Sequence, residues 1–364
     1  MARARLPGAR TGRTASARRG TAARSTPRRA RFWTRLSDTE LLKLRLCDLG
    51  LQLKSSRLAA PVRRLYRELA SRGIDLKPHV WLAEEWFSPD GVPGIAMPFY
   101  LAHPRLERLE RRIMHQVEGG NARWLMRILR HEAGHALDNA YRLRRRRRWR
   151  EVFGPASLPY PHRYRARPGS RRYVHHLGEW YAQAHPTEDF AETFAVWLKP
   201  NSDWRTTYAR WPALHKLELV EELMTSVRGR RPPVASRERI EPIATDTRTL
   251  EEVYRRKLAR QRHYRRGLAD HLLRRMFAAP PEAGTVRAST LLRARKTALV
   301  AEVSHQLGLE RYSVYQILRM LIERCDTLKL HVRPGRRPAR RELRAMLARI
   351  ARLYAQGETP HLPL

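Results

Sequence analysis

The chain is poor in cysteine, in lysine, in acidic residues and in long apolar runs, and each shortage excludes something. Only Cys47 and Cys325 occur in 364 residues. That is too few for a disulfide scaffold or a four-cysteine zinc ribbon, and it suits a reducing compartment. No apolar run approaches the roughly 18 residues that a membrane-spanning helix needs. Residues 1–31 contain no acid and no apolar segment of the signal-peptide type,. Their composition shares features with an organelle transit peptide, but a disordered basic tail is the preferred reading and a cytoplasmic location is expected. Acids are outnumbered 35 to 74 by Lys and Arg, for a formal net charge of +39, and most of the excess is Arg. Such a charge promises non-specific attraction to polyanions and speaks to solubility rather than to fold. Arg as the default surface charge explains it equally well.

What is present is enough to fold. The hydrophobic fraction of 42% is ordinary, and the length allows one or two domains with a real core. Residues 1–31 lack apolar periodicity and are expected to stay disordered. A helix is expected from Asp38 toward Gly50, and a second, "LAAPVRRLYRELASRG", ends at Gly73 in C-cap fashion,. The period then shortens. "PHVWLAEEWF" and "GIAMPFYLAHP" read as two strands about the turn "SPDGVPG", which predicts a small antiparallel sheet,. "PRLERLERRIMHQV" is a helix opened by Pro104,. The next helix is expected over about residues 121–144, and two more over "TEDFAETFAVWL" and "LHKLELVEELM". The prolines and charges of residues 228–246 read as a linker, and residues 247–364 read as further helices. The expected organisation is therefore a tail (1–31), a mixed domain (32–227), the linker (228–246) and a helical C-terminal region (247–364).

The chemistry is carried by "LRHEAGHALDNAY", residues 129–141. His131 and His135 are four apart, so a helix stacks them on one face where both imidazoles can reach one Zn²⁺ at about 2.0–2.1 Å. Glu132 lies on the neighbouring edge, where it could take a proton from water and pass it to a leaving amine. Two histidines alone are also compatible with an ordinary helix, and a catalytic zinc needs a third protein ligand. The segment "WYAQAHPTEDFAETFAVWL" offers one. Glu188 and Glu192 are four apart on a helix that is otherwise apolar, where a carboxylate is costly to bury without a partner. Glu188 is assigned as third ligand and Glu192 as a hydrogen-bond partner of a ligating histidine. An exposed acidic first turn, favoured by the helix dipole, is the plainer alternative. His185, His175 and His176 are rival ligands with no recognised spacing. Asp138, on the same face as His135, is either another partner of the ligands or a surface aspartate.

Together, "RHEAGHALDNAY" and "YAQAHPTEDFAETFAVWL" resemble the zinc-binding metallopeptidases of bacteria, whose members carry a close variant of H-P-x-E-D-F-A-E-T. The resemblance extends less sharply over residues 49–224. Over the two motifs the chain is also similar to the gluzincins typified by the anthrax lethal factor catalytic domain. The likeness implies a zincin-like α+β domain, one Zn²⁺ on His131, His135 and Glu188, and Glu132 as general base. It further implies Tyr181, seven residues before Glu188, as the group that stabilises the oxyanion. The cysteine-rich ribbon carried by many relatives is missing, so whatever it binds cannot be inferred.

The expectation is thus a predominantly helical α+β protein with a helical C-terminal extension, hydrolysing a peptide or protein substrate. Residues 94–104 are the candidate edge strand for pairing with extended peptide. The alternatives are a nucleic-acid-associated basic protein with a structural zinc site and a metal-binding scaffold without activity. "VAEVSHQLGLERYSVYQILRML" has the outline of a helix-turn-helix, but pairs of helices usually just pack together, and specific nucleic-acid reading is not favoured.

Overall fold

The computed structural model describes residues 32–356 apart from 115–116, 162–163, 165, 179, 264–266, 279–284 and 334. The expected basic tail lies outside the described residues. Helices dominate the rest. In chain order the elements are α1 (Asp38–Leu42), α2 (Ala59–Ser71), β1 (His79–Ala83), β2 (Gly94–Pro98), α3 (Pro104–Met114), α4 (Ala122–Tyr141), α5 (Arg147–Phe153), α6 (Pro186–Leu198), α7 (Trp204–Thr207) and α8 (Ala213–Val227). Then come α9 (Leu250–His263), α10 (Gly267–Met276), α11 (Ala288–Ala294), α12 (Lys296–Leu307), α13 (Arg311–Thr327) and α14 (Arg340–Gln356). Among the described residues, no helix is long and apolar enough to cross a membrane.

The sheet is parallel, not antiparallel as the turn signals predicted. His79 pairs with Gly94 and Ala83 with Pro98. The reason is that "PHVWLAEEWF" is not one strand. It breaks at Glu84–Glu85, and only its second piece folds back as a hairpin would. Phe87 bridges Ala96 in antiparallel sense, its carbonyl accepting the Ala96 amide at 2.8 Å. β1 takes the other side of β2, an arrangement that no local turn signal encodes. β2 is consequently buried throughout and has neighbours on both sides at Ala96. It does not offer the open edge expected for a substrate strand, and Phe99–Ala102 continues it as a 3₁₀ turn rather than as strand.

The first helix is also shorter than the periodicity suggests. Ser37 is its N-cap: the hydroxyl accepts the Glu40 amide, and the Glu40 carboxylate accepts the Ser37 amide at 2.8 Å,. It ends early because the next stretch pairs with the far side of the chain, Leu46 N–H donating to the Arg248 carbonyl at 2.9 Å and Cys47 N–H to that of Asp246 at 3.0 Å. The segment read as a linker is likewise docked. The Tyr141 hydroxyl donates to the Arg230 carbonyl at 3.0 Å, and the Trp81 indole donates to that of Ile240 at 2.9 Å.

Helix α4 sits at the centre of the molecule. Asn121 caps it by accepting the Trp124 amide at 2.9 Å,. Its far end comes three residues before the expected limit, because Arg142 adopts the left-handed conformation and the chain turns back. A buried ion pair fastens α4 to α2: Arg130 grips Glu68 with two nitrogens, at 2.7 and 2.8 Å. On another face α4 packs against α6, and Gly134 permits the approach. A Cβ there would stand 2.9 Å from Ala191 Cα, closer than real Cβ atoms come to backbone. Gly134→Val should therefore push the helices apart and cost about 1–3 kcal/mol. Thermal unfolding of the variant checks this; an unchanged midpoint would mean the helices have slack.

Candidate metal centre

Because α4 and α6 meet at Gly134 and Ala191, the side chains one turn along each helix face one another. His131 and His135 come from α4, and Glu188 comes from the first turn of α6, which Pro186 opens. The three donor atoms converge. His131 Nε2 is 3.0 Å from Glu188 Oε2, His135 Nε2 is 3.2 Å from the same oxygen, and the two nitrogens are 3.1 Å apart. Donors on a tetrahedral zinc with bonds of 2.0–2.1 Å stand roughly 3.3–3.4 Å from each other. The triangle is close to that size, and these residues form a group able to hold a metal ion.

The surroundings fix the donors. Glu192, one turn beyond Glu188, accepts from His131 Nδ1 at 2.9 Å, and its other oxygen accepts the Leu177 amide at 2.8 Å. With one proton held on Nδ1, Nε2 faces the cluster and is the nitrogen left to bind a metal once its own proton is lost,. Asp189 turns the other way and pairs with Lys216 of α8 at 2.5 Å. Asp138, considered as a partner of the ligands, is engaged elsewhere. Its two oxygens accept from the Arg144 amide at 2.8 Å and the Arg144 Nε at 2.6 Å, which holds the turn after α4. The rival histidines stand outside the group of three donors. His185 caps α6, His176 Nε2 lies 3.0 Å from the Arg127 carbonyl, and His175 packs edge-on against Trp211.

Charge points the same way as geometry. Glu132, Glu188 and Glu192 are all buried around the two rings. Burial pushes the Glu132 carboxyl up, only partly opposed by His135 and His131. One Glu132 oxygen is buried without a hydrogen-bond partner, an unusual state for a carboxylate. Burial would also raise Glu188, but the charges and hydrogen bonds of His135 and His131 outweigh it and hold that carboxyl well below the usual range. His131 shows the converse. Burial alone would lower its pKa, yet Glu188 and Glu192 raise it to about 10. Three buried carboxylates and two imidazoles suit a divalent cation, so the donor set fits zinc.

A pH dependence follows. His131 holds a proton below about pH 10 in the metal-free protein, and its Nε2 must give that proton up to bind a metal. Zinc uptake at pH 7 is therefore expected to release about one proton, and affinity should rise as pH climbs from 7 toward 10. Zinc titrations at pH 7, 8 and 9, with proton release followed by calorimetry in two buffers, test this; pH-independent affinity would contradict it.

Tyr181 is buried at the start of a 3₁₀ turn, its ring centroid 5.7 Å from that of His131. Burial, then the charge of Glu188, pushes its phenol well above the usual value, so it keeps the proton that a hydrogen-bond donor needs. One residue that sequence reasoning missed joins the cluster. Tyr160, in the loop after α5, donates to Glu188 Oε1 at 2.8 Å. No spacing rule links positions 28 residues apart across a loop, so no signal marked it.

Residues 106–214 match the model of a family described as "Putative zinc-binding metallo-peptidase". Both motifs and every residue of the cluster fall inside that span. No curated protein and no solved structure matches the chain.

Helices α9–α14 lie beyond the family match, yet they reach the loop that leads into the site. The Ser313 hydroxyl donates to the Pro168 carbonyl at 2.9 Å, and Arg171 lies over the ring of Tyr312. Trp180, held in the left-handed conformation immediately before Tyr181, packs edge-on against Tyr354 of α14 with ring centroids 5.2 Å apart. The start of α13 is thus seated on the family-matched portion, which removes Tyr312 and Ser313 from a free recognition face. The arginine run after α4 also has protein partners: Arg144 binds Asp138 and Asp90, Arg146 binds Ser226, and Arg148 binds Glu222.

Proposed function

We propose that this chain is a zinc-dependent metallopeptidase of the gluzincin type, acting on a peptide or protein substrate. One Zn²⁺ would be held by His131, His135 and Glu188. The observation that carries the reading is the convergence of those three donor atoms to within 3.0–3.2 Å, beside a carboxylate with an unpartnered oxygen. When bound, zinc would polarise the scissile carbonyl and bring the pKa of a coordinated water toward 7.

The chain's own residues supply the rest. Glu132, the residue after the first ligand, accepts the proton of the attacking water and returns it to the departing amine. The buried site favours this exchange, because burial moves the Glu132 pKa toward the working pH,. Tyr181 donates a hydrogen bond to the oxygen that gains charge as the tetrahedral carbon forms. Glu192 keeps His131 in the tautomer that binds metal.

Metal analysis of the purified chain, combined with digestion of an unbiased peptide library before and after chelation, tests the proposal. One zinc per chain is expected, with cleavage abolished by chelator and restored by added Zn²⁺. A chain without metal affinity would end the reading. So would cleavage that ignores the chelator.

A further inference from the structure

Tyr160 stands outside both motifs, but three contacts tie it to them. Its ring lies flat on that of His185, with centroids 3.9 Å apart and planes 18° from parallel. Its hydroxyl reaches Glu188 Oε1 at 2.8 Å and also touches the Thr187 hydroxyl. His185 anchors the same loop. As the N-cap of α6 it accepts the Thr187 amide on Nδ1 at 3.2 Å, which places its proton on Nε2, and Nε2 donates to the Leu158 carbonyl at 2.9 Å. The cap of α6 thus grips the loop at residue 158, and the ring two residues later rests on the same imidazole.

The consequence falls on Glu188. An ionised carboxylate only accepts hydrogen bonds, and a phenol at neutral pH has one proton to give. Tyr160 therefore occupies Oε1, leaving Oε2 as the oxygen that faces both histidine Nε2 atoms. The last torsion of a glutamate is broad and nearly two-fold. Without the phenol, the hydrogen bond that holds Oε1 away from the two imidazoles is lost, and the carboxylate is freer to rotate or to offer both oxygens at once.

We propose that Tyr160 is a positioning residue for the third metal ligand, its hydroxyl selecting which Glu188 oxygen is available and the His185 clip holding that hydroxyl in place. This rests on the metallopeptidase reading and extends it to a loop residue that the motifs do not include.

The test is Tyr160→Phe, which deletes one oxygen and keeps the ring that stacks on His185. Zinc affinity, measured against a fluorescent chelator, should fall about 10- to 100-fold, the usual cost of losing a group that orients a ligand. In the Co²⁺-loaded variant the visible absorption should weaken as Oε1 becomes free to join the ion and raise its coordination number. Unchanged affinity together with an unchanged cobalt spectrum would overturn the proposal. A lower melting temperature with wild-type affinity would overturn it too, because it would reduce Tyr160 to a packing role. Failure of the wild-type chain to bind Zn²⁺ at all would instead remove the metallopeptidase reading, and this inference with it.

Discussion

Glu132→Gln is expected to keep zinc at one ion per chain while lowering kcat/KM by about 10²–10⁴-fold, the range that a positioned general base contributes. The substitution preserves shape and removes only the ability to take up a proton. Folding should not suffer. The carboxyl is buried, its pKa is already raised by that burial, and a neutral amide costs less to bury than a charge. Stability should therefore stay level or rise, which separates a chemical defect from an unfolding defect. Peptide-library turnover and metal content measured on the same preparation decide the matter. Turnover near wild type would take the proton-transfer role away from Glu132.

Glu188→Ala should have the second largest effect: zinc is expected to fall from one per chain to none after gel filtration. Two imidazoles at neighbouring turns remain, but a catalytic zinc site needs three protein ligands. His131 would lose one of the two carboxylates that face it, keeping its Nδ1 contact to Glu192. Glu192→Ala makes the informative contrast. It leaves all three donors in place and removes only the acceptor that orients His131, so affinity should drop about 10- to 100-fold without being abolished. Equal losses from the two variants would show that the carboxylates had been assigned the wrong roles.

The site was legible wherever its geometry is local to a helix. His131 and His135, and Glu188 and Glu192, are pairs four residues apart, and a helix places such pairs on one face whatever surrounds it. The cost of burying two carboxylates on an apolar helix then marked α6 as the partner of α4. Asp138 shows the limit of the same reasoning. Spacing set it beside the ligands, but its partner, Arg144, lies beyond a turn that ends the helix earlier than its sequence suggests.

The strands show the limit more plainly. Local turn residues announced a hairpin, and a fragment of one exists at Phe87 and Ala96. β1 pairs on the opposite side and in parallel, a choice made by the packing of the whole chain. Tyr160, the His185 clip and the Leu177 amide behind Glu192 belong to the same class. Each is a contact made by a loop, where no period constrains which side chain arrives.

The sequence by itself determined the helical character of the chain, the two ligand-bearing faces and the identity of the groups able to bind a metal, because helix geometry converts spacing directly into proximity. Tertiary structure alone decided that those faces meet, which Glu188 oxygen turns inward, how the strands pair and where the C-terminal helices rest. Those outcomes depend on contacts between residues far apart in the chain, and their free energies are set by how the assembled core excludes water rather than by any neighbouring residues.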